Sequence, residues 1–194
     1  MQKRIYLIAL VAFSMSFFGC TITHRYGPFM GQVVDADNGK PIEGTVVLIG
    51  FYTEANSVGG AVGQFADAIE TLTDDEGKFH FPPKRINLFR TNSLWDKESC
   101  ISIFKPGYAA YPGNPRTFSS WEMKHSRIIP ENEYIVYYLP KLVTLEQRKE
   151  NLGDIEYPAG ITNEKMPNSR RLESQERVKV GLKPFSKKIW SKEE

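Results

Sequence analysis

The chain has 194 residues, which is room for one ordinary domain with appendages, because a stable core usually takes about 100–150 residues to build. Its 25 Lys and Arg against 23 Asp and Glu are too evenly balanced to imply nucleic-acid binding or strong steering of an anionic substrate.

Targeting begins at the first residues. Lys3 and Arg4 form a basic start, residues 5–18 are a charge-free apolar run of 14, and Gly19 and Cys20 follow. This is the anatomy of an export signal. The run is shorter than the roughly 18–20 residues needed to cross a hydrocarbon layer of about 30 Å, which argues against a permanent span. Ser16-Phe17-Phe18-Gly19-Cys20 resembles the lipobox of bacterial lipoproteins, in which the Cys thiol receives a diacylglyceryl group and becomes the mature N-terminus. Phe17 and Phe18 depart from the Leu and small residue usual at those places. The resemblance implies a signal peptide over residues 1–19, lipidation of Cys20 and a lipid anchor in the bacterial cell envelope. Thr21, standing where Asp favours inner-membrane retention in enteric bacteria, points to the outer membrane. The alternative is an ordinary secretory signal cleaved nearby, leaving Cys20 as a free or disulfide-bonded thiol. Loss of residues 1–19 removes Lys3 and Arg4 and leaves 23 basic against 23 acidic side chains.

Residues 20–28 are short and irregular, as expected of a tether. A strand is predicted over 30–35, then a turn at 37–40 in which Asn38 and Gly39 supply positive φ, and Pro41 marks an edge. Residues 45–52 are β-branched and aromatic and apolar on both faces, which predicts a strand covered on each side. Residues 56–66 are rich in Gly, Ala and Val without a period and read as a loop or short packed segment. Strands are predicted again over 68–73, 78–81, 99–104 and 134–139, each bounded by Gly, Pro or Asp. Cys100 begins one of them and is expected to be a buried, inert thiol.

Three pieces of this sequence resemble the carboxypeptidase regulatory-like domain, a transthyretin-like sandwich. They are Gly31-Gln32-Val33-Val34-Asp35 with Asn38-Gly39-Lys40-Pro41-Ile42-Glu43-Gly44-Thr45; Thr73-Asp74-Asp75-Glu76-Gly77-Lys78-Phe79; and Ile101-Ser102-Ile103-Phe104 followed by Gly107-Tyr108. The resemblance spans about residues 29–140 and implies a mainly β, seven-stranded antiparallel Greek-key sandwich with a non-catalytic binding or assembly role. Asn38, Gly39, Pro41, Gly44, Asp74, Gly77, Gly107 and Tyr108 are its turn and motif residues. The lengthened stretches 53–67 and 112–131 are candidate contact loops.

Signals for chemistry are sparse. His24, His80 and His125 lack short ligand spacing, so no metal or cofactor is expected, and no nucleophile elbow, phosphate loop or Cys-x-x-Cys motif occurs. The acidic turn Asp74-Asp75-Glu76 is expected to be solvated in preference to binding Ca²⁺. Trp95, Tyr111 and Trp121 form a candidate aromatic platform for carbohydrate or peptide, with core packing the plainer explanation. Beyond residue 140 a partly helical or irregular extension is expected, with helices near 145–151 and 169–178. Residues 165–192 hold nine Lys or Arg against two Glu. That stretch is expected to pack loosely through Leu172, Leu182, Phe185 and Trp190, with docking to anionic headgroups as the other reading. The expected function is thus a non-catalytic, lipid-anchored envelope protein with a protein partner. A carbohydrate- or peptide-binding protein comes second, an unrecognised hydrolase third.

Overall fold

The computed structural model describes residues 20–57, 59–91, 93–121 and 127–186. The expected signal peptide, His125 and Trp190 lie outside them. The described residues are mainly β, with eleven strands in several sheets and two α-helices after them.

The first difference from expectation comes at once. Residues expected to be tether form β1 (Cys20–Tyr26), paired antiparallel to β6 (Lys84–Thr91), with Cys20 opposite Thr91 and Tyr26 opposite Lys84. Tyr26 is fully buried, and its hydroxyl donates to the Asp96 carbonyl at 2.6 Å, so the ribbon is tied to the body.

A four-stranded sheet has the order β5 (Lys78–Phe81), β2 (Phe29–Asp35), β11 (Tyr134–Leu139), β9 (Phe118–Ser119). Its β2–β11 pair is parallel, with Gly31 opposite Ile135, which departs from purely antiparallel pairing. Gly31 is required there, since a Cβ would run into the Ile135 carbonyl and the Phe79 ring.

The second sheet runs β10 (Ile128–Ile129), β8 (Ser99–Phe104), β3 (Val46–Ser57), β4 (Gly60–Leu72), and β7 (Ser93–Trp95) pairs with the far half of β3. Residues 56–66, read as a loop or short packed segment, belong instead to a long β3–β4 hairpin paired from Val46–Leu72 out to Ser57–Gly60.

Alternation along β3 decides how the layers stack. Val47, Ile49 and Phe51 join Phe29 and Val33 of β2, Phe79 and Phe81 of β5, Ile101 and Ile103 of β8, and Ile135, Tyr137 and Leu139 of β11 in one buried core. Because side chains alternate faces, Val46 and Leu48 point the other way. There Val46 packs with Phe104, Ala110 and Leu172, and Leu48 with Ala68 and Met166. The two-sided apolar pattern of residues 45–52 is therefore met by the C-terminal segment.

That segment holds α1 (Leu145–Asn151), a 3₁₀ turn (Asn163–Lys165) and α2 (Pro167–Lys179). Thr144 caps α1 in a reciprocal box with Gln147. The packing is firmer than a loosely attached extension. Met166 and Leu172 are at most 5% exposed, each burial contributing roughly 1.5–3 kcal/mol. Pro158 sits so close over Gly50 that a Cβ there would lie 2.6 Å from its ring. Leu182 stays exposed, and Phe185 takes the guanidinium of Arg177 over its face at 4.7 Å.

Candidate functional site

The motif residues gather at one end of the body. Asp35 Oδ1 accepts the N–H of Asp37 and Asn38, and the Asp35 carbonyl accepts the N–H of Gly39 at 2.8 Å. Positive φ is supplied by Gly39 (70°) alone; Asn38 contributes through its Oδ1, which accepts the Lys40 N–H. Pro41 bridges Val34 at the edge. Thr73 Oγ1 donates to the Ile42 carbonyl at 2.7 Å and accepts the Thr45 N–H at 2.9 Å, while Gly44 N–H donates to the Thr73 carbonyl. Asp74 Oδ1 accepts the Lys78 N–H at 2.7 Å, the work of a tight turn. Gly77, at φ 69°, accepts the Val33 N–H at its carbonyl oxygen, and a Cβ there would come 2.5 Å from Val33 O. Lys105 Nζ reaches the Glu43 carbonyl at 2.6 Å, and Gly107 turns the chain at φ 85°. Tyr108 donates its hydroxyl to Asp35 Oδ2 at 3.3 Å.

The aromatic candidates do not form one platform. Trp95 is half-buried and stacks on His24 at 5.7 Å, with Tyr26 edge-on at 6.0 Å. Tyr111 is 1% exposed and meets Tyr137 edge-on at 5.0 Å, so its ring is core. Trp121 packs against the same core. His80 is exposed on β5, as the alternation of its neighbours implies. Among the described residues no three His, Cys, Asp or Glu side chains converge as a metal site would need.

A cleft of about 230 Å³ opens where residues 156–159 cross the second sheet, lined by Tyr52, Asp96, Cys100, Arg127, Glu156 and Tyr157 among others. Tyr52 donates its hydroxyl to the Ala159 carbonyl at 3.2 Å, and burial pushes that hydroxyl up to about 12. Burial, reinforced by Asp96, also raises the Cys100 thiol, which therefore stays neutral at pH 7 and is not an activated nucleophile. Arg127 Nη2 lies 2.5 Å from Glu156 Oε2, forming an ion pair at the rim of the cleft. Tyr157, held above its usual range by burial and by Glu173, donates to Glu173 Oε2 at 2.8 Å. These groups can pack against and hydrogen-bond a small polar ligand. They come from segments more than 100 residues apart, so no local pattern announces the cleft.

At the other end of β3 from the motif turns lie Cys20 and the hairpin tip. Thr53 and Ala55 of β3 pair with Trp95 and Ser93, and Arg90 of β6 donates to Thr53 Oγ1 at 2.8 Å and to the Phe65 carbonyl at 2.7 Å. The twelve residues of β3 separate the two ends by about 35–40 Å.

No family model, curated protein or solved structure matches this chain.

Proposed function

We propose that the protein is a non-catalytic, lipid-anchored bacterial envelope protein whose β-rich body is a binding or assembly module of the transthyretin-like, carboxypeptidase regulatory-like kind. The observation that carries the reading is the junction at Cys20: a basic start, an apolar run of 14 and Gly19-Cys20 lead directly into the first strand of the body. Acylation there would leave no spacer between lipid and fold. Two or more acyl chains, at about 0.8 kcal/mol per buried CH₂, hold a protein stably at a membrane.

The sandwich part of the proposal is supported by the shared core of the two principal sheets and by the convergence of all three motif pieces at one end. The parallel β2–β11 pair differs from the purely antiparallel sandwich that was expected, and the long β3–β4 hairpin from the loop or short packed segment expected over 56–66. The motif end lies far from Cys20 and is the face we assign to an envelope partner, with the outer membrane as the anchoring layer.

Fractionation of cells expressing the wild type and a Cys20→Ala variant tests the anchor, and photocrosslinking from Asn38 and Lys105 tests the partner face. Membrane retention only for the wild type, with one crosslinked protein, supports the proposal; equal solubility of both chains overturns it.

A second reading rests on the cleft beside Tyr52, Arg127 and Tyr157, which suits a short peptide or carbohydrate. Saturable quenching of intrinsic fluorescence by oligosaccharide or peptide would favour it.

A further inference from the structure

The end of the body that carries Cys20 exposes several apolar side chains. Phe89 of β6 is 72% exposed, Leu94 of β7 66% and Val62 of β4 50%. All three lie at the same end of the body, Leu94 on the face of β3 that carries the exposed Glu54 and Val62 on the face that carries Ala55. Cys20 pairs with Thr91 and Thr21 with Arg90, one residue from Phe89; Leu94 lies opposite Glu54, which lies opposite Gly63; and Ala55 lies opposite Val62. The hairpin tip adds a stretch without charge: residues 55–66 hold no Asp, Glu, Lys or Arg, although positions 57 and 59–64 are exposed. Here β4 is also the sheet edge, and an exposed, uncharged edge with apolar neighbours is the kind of surface that proteins in water normally charge or cover.

We propose that this end, Phe89, Leu94 and Val62 with the β3–β4 tip, is a second membrane contact that seats on the bilayer beside the acylated Cys20. The inference rests on the anchoring reading. It commits to lipid because residues 1–19, the expected export signal, run directly into Cys20, already paired in β1. An acyl chain on that residue brings the bilayer against the patch with no tether to hold them apart. Apolar side chains at such a surface sink about 5–10 Å into the headgroup–acyl boundary. The lipid and the contact together would stand β3 on the membrane and present the motif turns outward.

The test uses the full, natively processed chain in a Cys100→Ala background, reconstituted in phosphatidylethanolamine–phosphatidylglycerol vesicles carrying doxyl-labelled lipid. Single cysteines at Phe89→Cys, Leu94→Cys and Val143→Cys carry the same fluorophore; Val143, 86% exposed, follows the segment that bridges Tyr108 at the motif end. Quenching roughly threefold stronger at positions 89 and 94 than at 143 is the expected result for side chains at that shallow depth. Equal quenching in a sample whose intact mass shows acylated Cys20 overturns the contact and leaves the anchor standing. Cross-linking of position 94 between copies without quenching also overturns it, in favour of edge pairing of two chains. A sample without acyl mass overturns anchor and contact together.

Discussion

Arg148 donates from Nε and Nη2 to the two carboxylate oxygens of Glu176, at 2.7 and 2.5 Å, joining α1 to α2 across 28 residues of sequence. Glu176 has no solvent exposure, and Gly107 N–H is its further partner at 3.3 Å. The pair thus fixes both helices to the turn after β8. Arg148→Met leaves a buried carboxylate without its counter-charge and is expected to cost about 3–5 kcal/mol in urea unfolding. The double variant Arg148→Met/Glu176→Leu is expected to recover most of that loss; a double variant as weak as the single one would contradict the assignment.

Helix α2 lacks a side-chain cap of its own at Met166, and Glu70 of β4 supplies one. Its carboxylate accepts the N–H of Asn168 at 2.5 Å and of Ser169 at 3.1 Å, and the Ser169 hydroxyl at 2.9 Å. A negative charge at a helix N-terminus also meets the positive end of the dipole. Glu70→Ala is expected to cost about 1–2 kcal/mol. Hydrogen exchange over 167–179 should rise selectively, with β2 and β11 unchanged.

Acid should loosen the joint at Asp67. Burial alone would raise its carboxyl, but hydrogen bonds from Lys165 and Lys84 and from the Ala68 N–H hold it below the ordinary range. The folded form therefore binds its proton less readily than the unfolded chain. The stabilisation is complete above the unfolded value of about 3.9 and is lost as pH falls through the depressed one. The urea midpoints of wild type and Asp67→Asn should differ at pH 7 and converge as pH falls through the depressed value. A gap that persists unchanged into acid would contradict the ion-pair account.

Cys100 should react slowly. Its thiol is raised by burial first and Asp96 second, so alkylation by iodoacetamide at pH 7.5 is expected to lag behind that of a free cysteine. The rate should rise with an inflection above the ordinary value of about 8.5. A fast reaction at neutral pH would reveal an activated thiol and reopen the question of chemistry in the cleft.

What the sequence made legible was the apolar alternation bounded by turn residues, which is why β2, β5, β8 and β11 fall close to where they were expected. Strand β1, Thr-Ile-Thr-His-Arg-Tyr after Cys20, is polar and pairs with the equally polar β6, so neither signals burial locally. The hairpin over 56–66 has no period because it is exposed on both strands at its tip. The parallel β2–β11 register and the Glu70 cap join residues about 100 apart, and no local pattern carries such information. The basic stretch 165–192 was expected to pack loosely, whereas its Arg170 pairs with Glu173 and its Glu176 holds Arg148 of α1. Core packing was the plainer reading of Tyr111 and its ring is buried, but its partner was not legible, since its place follows from the bridge to Ile103.

Attachment of the body to a membrane through Cys20 underlies both the proposed function and the second contact. It is checked by intact mass and detergent partitioning of the natively expressed protein beside Cys20→Ala. The expected wild type is shortened by residues 1–19, carries acyl mass and enters the detergent phase, while the variant gains no acyl mass and stays out of it. A wild type that is unacylated and stays in water would contradict the attachment.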